Sequence, residues 1–432
     1  MSELVKVGLI GFGTIGAGVA KILLNKTDRL AASIGRRIEL ARICDKDISS
    51  DRGVDIPAGV LTNDLNDILN DPEITIGIEL IGGLEPARTF VLALLDAGKD
   101  VVTANKALLA NHGPELFEHA RKLGRTIAFE AAVGGGIPVI SSIATSLQAN
   151  EIESILAILN GTSNFILSRM EQTGANYHDA LREAQQKGYA EANPAMDVDG
   201  TDAVQKLSIL SQLAFAAHVN WKSVSRVGID CVDAIDIRFA RELAYSIRLI
   251  ASAKRTQDGL ELKVSPTLVP CSSPLAKVDD AFNAIQVVGD FVGPVFYQGW
   301  GAGQKPTASA VVSDVIDTAL GRTAITSASL RMWSGDRPAL AVRDAGEMVS
   351  KAYLRLIVDD KKGVMSVISG ILGEFDISIS SMLQPEKEAV DEPTYMIIMT
   401  HATSQRRLQE AVARIRGLDF VYGEPVCLAV QG

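Results

Sequence analysis

A glycine-rich turn between a strand pattern and a helix pattern constrains this chain more than any other feature. Residues 5–10 form an apolar run typical of a buried strand, and residues 17–24 have the apolar spacing of a helix. Between them stands Gly11-Phe12-Gly13-Thr14-Ile15-Gly16. The first glycine permits a tight turn, the second lets a pyrophosphate approach the backbone, and the third lets helix and strand pack closely. The motif predicts a dinucleotide-binding unit with phosphate at the helix N-terminus.

Strand and helix patterns alternate through the rest of the N-terminal part. Strands are predicted at 38–44, 74–81, 100–103 and 125–130, and helices at 86–97 and 114–123. Such alternation is typical of a doubly wound parallel sheet. We therefore predict a Rossmann-like domain over residues 1–135, completed by a helix from 305–322.

An acid follows the second predicted strand, where dinucleotide-binding folds place a ribose ligand. This acid is Asp45. A carboxylate there favours a free 2′-hydroxyl and hence NAD, but Arg42, Lys46 and Arg52 are near enough in sequence to offer positive charge to the 2′-phosphate of NADP. The residues favour NAD and leave NADP open.

A polar stretch at 187–206 leads directly into an apolar helical pattern. Thr201 is a plausible N-cap, and Asp202 and Lys206 lie one turn apart on the same helix face. A lysine on a largely buried helix loses solvation, which moves its pKa toward neutrality and suits proton transfer at a carbonyl oxygen. The alternative is an ordinary surface pair at four-residue spacing, which would have no chemical role.

Three further loops have both a structural and a functional interpretation. Glu130 precedes the glycine-rich segment 131–138, which is either a domain hinge or a small hard-cation site built from backbone carbonyls. The polar loop 160–164 either binds a small ligand or caps the following helix. Gly301 and Gly303 either admit a flat ligand such as nicotinamide or mark a bend.

The central and C-terminal parts have different patterns. Residues 136–322 are interpreted as a mixed α+β domain for substrate binding, catalysis and dimerisation, with a helix predicted near 237–253. Residues 323–350 are predicted to be a linker. Residues 351–432 show a βαββαβ order, which is typical of a small ferredoxin-like regulatory unit.

Composition excludes several classes of partner. The net charge is −10, without basic runs, so neither nucleic acid nor an anionic membrane is expected to bind. The longest apolar segment, 207–219, is too short to span a bilayer, and the first ten residues read as a strand and not as a signal peptide. Four scattered cysteines fit a reduced cytoplasm and form no zinc motif.

Taken together, several separated motifs resemble those of the homoserine dehydrogenase family, in its three-domain form with a C-terminal ACT domain. The resemblance extends over essentially the whole chain. The motifs are Gly11 to Gly16, Thr103-Ala104-Asn105-Lys106, Glu130 to Pro138, Asn160-Gly161-Thr162, Lys187 to Glu191, Asp197 to Lys206, and Gly301 to Val312.

The resemblance implies reversible hydride transfer between a nicotinamide cofactor and L-aspartate 4-semialdehyde, giving L-homoserine. It implies that Lys206 donates the proton, that Asp202 holds substrate beside it, and that Lys106 is a second catalytic lysine. It assigns substrate binding to Glu191 and Gly188. Cofactor binding is assigned to Gly11, Phe12, Gly13, Thr14, Ile15, Gly16, Asp45, Thr103, Lys106 and Gly303.

The resemblance also implies an ion, an assembly and an effector. A sodium site would use Glu130 and the carbonyls of Val133, Gly135 and Ile137. A homodimer or homotetramer is implied, with threonine as the effector of the ACT domain near Asp359 and Gly363. One departure concerns the cofactor, because Cys44-Asp45 stands where many relatives have an arginine. This departure agrees with a preference for NAD.

Three rival classes of protein share some of these features. A phosphorylating semialdehyde dehydrogenase needs a cysteine nucleophile activated by histidine, and no cysteine here lies in a glycine- or asparagine-rich catalytic turn. A 2-hydroxyacid dehydrogenase would use a histidine acid-base group, and the five histidines lie in patterns typical of solvated or packed side chains. A nucleotide and amino-acid sensor would have no need for Glu191, Asp202 and Lys206 together.

Overall fold

The computed structural model describes residues 4–334, 340–385 and 393–431. Parts of the predicted linker and of the predicted C-terminal domain therefore lie outside the described residues. The chain divides into two compact units. The first contains residues 1–153, 205–222 and 285–340, and the second contains residues 154–204, 223–284 and 341–432.

The described strands are, in chain order, β1 Leu4–Ile10, β2 Arg37–Cys44, β3 Leu61–Thr62, β4 Ile74–Glu79, β5 Asp100–Thr103, β6 Ile127–Ala128, β7 Ile152–Ile158, β8 Ser225–Arg226, β9 Tyr245–Thr256, β10 Gly259–Pro270, β11 Phe282–Gly289, β12 Gly293–Trp300, β13 Val349–Val358, β14 Ile379–Leu383, β15 Thr394–Thr400, β16 Thr403–Ser404 and β17 Val421–Val430.

The described α-helices are α1 Thr14–Asn25, α2 Thr27–Ile34, α3 Asn66–Leu69, α4 Ala87–Asp96, α5 Lys106–Lys122, α6 Val139–Ser141, α7 Gly161–Thr173, α8 Tyr177–Gln186, α9 Ala195–Val198, α10 Thr201–Phe215, α11 Ala234–Glu242, α12 Gln304–Ala319, α13 Arg322–Leu330, α14 Val364–Glu374 and α15 Gln405–Arg416. Within the described residues, no helix is both long enough and apolar enough to cross a membrane.

The first unit contains a six-stranded sheet in the order β3-β2-β1-β4-β5-β6. All of its strand pairs are parallel. This is the order of a Rossmann dinucleotide-binding fold, so the predicted fold class is confirmed for this part of the chain. Its core joins the β1 side chains of Val7 and Leu9 to Val19 of α1 and to Ala308 and Val311 of α12. A late helix thus packs on the N-terminal sheet.

Helix α5 begins eight residues before the predicted start at Pro114. The Asn105 side chain caps it by accepting a hydrogen bond from the Leu108 N–H at 3.1 Å. Pro114 lies inside the helix. A proline lacks the N–H that a helix interior uses and usually ends a helix, which is why the pattern misplaced the start.

The predicted helix near 237–253 is wrong over most of its length. The structure has α11 up to Glu242, and β9 begins at Tyr245. Strand β9 pairs with β10 in antiparallel register over twelve residue pairs, from Tyr245 with Pro270 to Thr256 with Gly259. Both faces of β9 are buried over residues 246–251, so its apolar run lacks the alternation that identifies a strand.

The second unit contains strands in the order β7-β9-β10-β17-β13-β15-β14. The segment from β13 to β17 has the predicted βαββαβ order, and its four main strands neighbour one another as in a ferredoxin-like unit. Its last strand also pairs in parallel with β10, with Thr267 opposite Ala429. The ferredoxin-like segment therefore continues the sheet of the central region.

The expected domain boundaries at 135, 322 and 350 do not coincide with the two units, and they stay predictions. The β10–β17 pairing is one physical reason for the difference, because it joins the C-terminal segment to residues 259–270. A second reason is that α13 occupies the first part of the segment predicted as a linker.

Candidate active site

The glycine turn has one open position between two crowded ones. Gly11 has φ of 98°, and a Cβ there would lie 2.8 Å from the carbonyl oxygen of Leu80. A Cβ on Gly16 would lie 2.0 Å from the carbonyl oxygen of Gly11, whereas one on Gly13 would meet nothing within 4 Å. No side chain caps α1 at Gly13. The turn thus leaves open space at a helix N-terminus, which fits a dinucleotide phosphate.

The Asp45 carboxylate is bound to the glycine turn at the end of β2. Its Oδ2 accepts a hydrogen bond from the Phe12 N–H at 2.5 Å, and its Oδ1 accepts one from the Asp47 N–H at 2.9 Å. Arg52, a basic side chain considered for a 2′-phosphate, forms an ion pair with Asp47 at 2.9 Å. The charge of Arg52 is therefore partly balanced within the protein.

Gly303 precedes α12 and has φ of 112°. The next residue, Gln304, donates a hydrogen bond from Nε2 to the Thr14 carbonyl oxygen at 2.8 Å. This bond holds the start of α12 beside the start of α1. Gly303, Thr14 and the glycine turn therefore lie at the same edge of the sheet, as their assignment to the cofactor requires.

Lys106 is the first residue of α5 and follows the carboxyl end of β5. Its side chain is half-buried. The preceding Asn105 caps the helix and donates from Nδ2 to the Gly83 carbonyl oxygen at 2.7 Å. Lys106 is thus placed at the carboxyl edge of the parallel sheet, where ligands bind in open α/β folds.

A buried acid, Glu79, supports the connection between β5 and α5, and the sequence analysis did not identify it. Glu79 has 0% exposure. Its Oε2 accepts from the Thr103 hydroxyl at 2.7 Å, and its Oε1 accepts from the Ile81 N–H at 2.9 Å. The Thr103 hydroxyl in turn accepts from the Asn105 N–H at 3.0 Å. The signal was present, since Glu79 is the one charged side chain in the apolar run 74–81.

Helix α10 carries both Asp202 and Lys206, and their exposed fractions are 5% and 8%. The alternative of a solvated surface pair is therefore wrong. Charged side chains are almost never fully buried unless they are paired or functional. Their burial is the property that a proton-transfer lysine needs.

Asn160, the first residue of the polar loop 160–164, holds the Asp202 carboxylate. Asn160 donates from Nδ2 to Asp202 Oδ2 at 2.9 Å and to Asp197 Oδ1 at 2.7 Å. Its Oδ1 accepts from the Ser163 N–H at 2.8 Å and so caps α7. The loop 160–164 therefore does cap a helix, and the same amide also orients two carboxylates.

Glu191 and Gly188, the other assigned substrate residues, lie in the loop between α8 and α9. Both are exposed, and Gly188 has φ of 74°. The Tyr189 N–H donates to the Ala184 carbonyl oxygen at 2.9 Å, which holds the loop against the end of α8. The roles assigned to these two residues stay predictions.

Glu130 is buried, and its carboxylate accepts hydrogen bonds from the N–H groups of Ile140 and Ser141, both at 2.8 Å. Burial raises its pKa, and the bonds from Ser141 and Ile140 oppose that rise. The neighbouring Asp314 accepts from the Glu130 N–H at 2.8 Å. Burial raises the pKa of Asp314 well above its ordinary value, and the charge of Glu130 adds to the effect.

The predicted cation ligands fit an ion that prefers oxygen. Gly134 and Gly135 have φ of 76° and 57°, a backbone shape that glycine adopts without strain. The Ile137 carbonyl oxygen already accepts from the Val139 N–H at 2.8 Å and keeps a second lone pair. The described residues contain no group of three His, Cys, Asp or Glu side chains that could hold a metal. Any ion here would depend on carbonyls and Glu130.

The cysteines do not have the properties of a catalytic nucleophile. Burial raises the pKa of Cys44, and it raises that of Cys231 and of Cys427 to about 11 in each case. A thiol with a raised pKa is a poor nucleophile at neutral pH. Cys271 is exposed and lies 3.9 Å from the Ser246 hydroxyl. These environments argue against the cysteine-dependent rival.

Comparisons with known proteins match both catalytic regions. The family model described as homoserine dehydrogenase matches residues 138–316, and the model described as homoserine dehydrogenase, NAD binding domain, matches residues 11–130. Homoserine dehydrogenase of Pseudomonas aeruginosa is 41% identical over 99% of this chain and 99% of its own length. That of Bacillus subtilis is 36% identical over 99% of this chain and 98% of its own.

Solved structures agree with this chain in fold. A homoserine dehydrogenase from Thiobacillus denitrificans has a TM-score of 0.92 and 40% identity, covering 100% of this chain and 99% of that one. A hyperthermophilic archaeal homoserine dehydrogenase in complex with NADPH has a TM-score of 0.62 and 27% identity. It covers 73% of this chain and 98% of that one.

Proposed function

Because the chain belongs to the homoserine dehydrogenase family of NAD(P)-dependent oxidoreductases, we propose that it interconverts L-aspartate 4-semialdehyde and L-homoserine in threonine, methionine and isoleucine biosynthesis. The observation that supports the assignment best is the burial of Asp202 and Lys206 one turn apart on α10. A buried acid and lysine next to an amide that orients the acid suit proton transfer at a carbonyl.

The proposed mechanism divides the work among four residues. When bound, the nicotinamide supplies the hydride that reduces the aldehyde carbon, or accepts it in the reverse direction. Negative charge grows on the aldehyde oxygen, and the Lys206 ammonium stabilises that charge and donates the proton. Asp202, held by Asn160, binds substrate beside Lys206, and Lys106 lies at the cofactor edge of the sheet.

We propose that NAD is preferred over NADP, with Asp45 at the ribose. The first experiment measures initial rates with L-homoserine and either NAD or NADP. We expect turnover with both and a higher kcat/KM for NAD, because a carboxylate repels a 2′-phosphate. Absence of turnover with both cofactors, together with measurable nucleotide binding, would instead favour the sensor. A higher kcat/KM for NADP would contradict the proposed role of Asp45 but not the proposed reaction.

We propose a sodium ion at Glu130 and the carbonyls of Val133, Gly135 and Ile137. Burial without a cation is unfavourable for the Glu130 carboxylate, as its raised pKa indicates. We therefore expect sodium chloride to raise the melting temperature more than choline chloride does at equal ionic strength. The difference is expected to be larger at pH 8 than at pH 5, because protons compete for the same carboxylate.

Glu130→Gln is the matched variant for the sodium site, because glutamine is close in size, lacks the negative charge and keeps one of the two oxygens that accept from Ile140 and Ser141. This variant is expected to have the same melting temperature in sodium chloride as in choline chloride. If Glu130→Gln keeps the full difference in melting temperature between the two salts, the ion binds elsewhere. If the unchanged protein has the same melting temperature in both salts, the proposed sodium site is contradicted.

We propose that residues 351–432 form an ACT domain and that threonine inhibits through it. Asp359 is the group to test, because its carboxylate accepts from the Tyr422 hydroxyl and from Lys361 Nζ, both at 2.7 Å, just before the Gly363 turn. Asp359→Ala is expected to weaken threonine inhibition while uninhibited turnover is retained. Deleting the segment is a poorer test, since β17 pairs with β10. Unchanged inhibition in Asp359→Ala would remove Asp359 from the effector site.

The predicted homodimer or homotetramer and the cytoplasmic location stay predictions. The central region from 136 to 322 is the expected source of the dimer contact, by resemblance to the family. Sedimentation of the purified chain would measure the number of subunits directly.

A further inference from the structure

A cavity of about 400 Å³ lies over β9 and β10 in the second unit. Part of its floor is polar, because Ser252 and Lys254 alternate along β9 as Lys263, Ser265 and Thr267 do along β10, and alternate strand residues share a face. Leu156 and Ile250 add apolar surface. Residues 345 and 348–350 and the end of β17 add further walls. The volume lies within the roughly 300–1,000 Å³ of small-molecule sites.

The charges lining the cavity are positive on balance. The side-chain ammonium groups of Lys254 and Lys263 have no hydrogen bond or ion pair with any other of the described residues. The one acid of the lining, Glu261, is already bound by Arg343 at 2.7 Å. Two lysines therefore line a cavity in which the Glu261 carboxylate already has Arg343 as its partner.

Desolvation makes an anion at this place favourable. Burial lowers the pKa of Lys263, because its ammonium is poorly solvated there, and the nearby Cys427 opposes this effect. Gln431 lines the same cavity, and its Oε1 is buried without a hydrogen-bond partner among the described residues. Buried polar groups are normally satisfied by protein, water or ligand. An anionic group would satisfy the Lys263 ammonium, and a hydroxyl or amino donor on the same molecule would satisfy the Gln431 oxygen, which only accepts.

We propose that this cavity binds a small organic anion, whose carboxylate or phosphate group is held by Lys263 and Lys254 beside the hydroxyls of Ser252 and Ser265. Lysine suits either group as a point charge with three donors. The ligand would touch β9 and β10 on one side and the entry and exit strands of the ferredoxin-like segment on the other. Its occupancy would stabilise that part of the second unit.

The test is calorimetric titration of the whole protein with two probes, succinate and inorganic phosphate, against sodium chloride at matched ionic strength. We expect at least one probe to bind with one site per chain. Lys263→Met should weaken that binding about tenfold or more, because one charge-assisted contact is worth about 1.5–3 kcal/mol. Lys277→Met, at an exposed lysine outside the lining, should leave it unchanged.

A preference between the probes identifies the group, carboxylate or phosphate, that the site recognises. Lys254→Met is a second variant at an exposed position, so it tests the same site even when Lys263→Met unfolds. Heat from neither probe, or binding unchanged in both variants, overturns the proposal. An equal response to chloride also overturns it. None of these readouts depends on turnover, so the result is independent of the proposed reaction.

Discussion

Lys206→Ala is expected to lower turnover by about 10²–10⁴-fold, the usual contribution of a general acid-base group. The lysine is buried on α10 and is the proposed proton donor to the aldehyde oxygen. The measurement is kcat for homoserine oxidation and for semialdehyde reduction. Nucleotide binding, followed by fluorescence, should be unchanged, because Lys206 is assigned to the substrate and not to the cofactor.

A pH series separates proton transfer from simple binding. In the oxidative direction Lys206 must begin neutral, so activity of the unchanged enzyme should increase toward alkaline pH. Lys206→Arg keeps the positive charge but cannot act as a base at accessible pH, so it should remain inactive in oxidation. Lys122→Ala is the control, because Lys122 is an exposed lysine paired with Glu118. A Lys206→Ala enzyme with normal turnover would end the assignment.

Asp236→Ala is expected to destabilise the protein by about 3–5 kcal/mol, which is the usual cost of removing one partner from a buried ion pair. Asp236 is fully buried and accepts from Arg355 Nε at 2.7 Å and from the Tyr353 hydroxyl at 2.9 Å. It also accepts from the Asp233 N–H at 2.9 Å, within the capping box of α11. The loss would leave the Arg355 charge without its carboxylate. Denaturant unfolding followed by circular dichroism measures the change.

An exposed pair on a regular helix provides the comparison for Asp236. Glu118 bonds Lys122 at 2.7 Å within α5, and the Glu118 side chain is 58% exposed. Glu118→Ala should change stability by less than about 1 kcal/mol, because solvent screens surface pairs. Similar effects from the two substitutions would mean that the Asp236 cluster contributes little beyond a surface contact. A large effect at Asp236 alone would show that this cluster holds α11 to β13.

The glycine turn and the helix of Lys206 could be predicted because their information is local. The spacing of Gly11, Gly13 and Gly16 is set by steric contacts within one strand, turn and helix. The structure shows backbone atoms too close to Gly11 and Gly16 for a side chain at either position. The helical period of α10 likewise depends on neighbouring residues alone. The fold class, the glycine turn and the position of Asp202 and Lys206 one turn apart on one helix were therefore accessible from the sequence.

The supporting contacts were not accessible, because they join residues far apart in the chain. Glu79 reaches Thr103 across 24 positions, and Asn160 reaches Asp202 across 42. The strand at 245–256 was mistaken for helix because burial on both faces removes the alternation that identifies a strand.

By itself, then, the sequence determined the dinucleotide turn, the α/β alternation, the ferredoxin-like order and the acid-lysine helix. Each of these depends on steric or periodic rules that act within about one element. Only the tertiary structure decided that Asp202 and Lys206 are buried, that Asn160 orients the acid, and that β17 joins β10. Burial and pairing between distant segments depend on which surfaces pack together in the folded chain, and a local sequence pattern does not specify this.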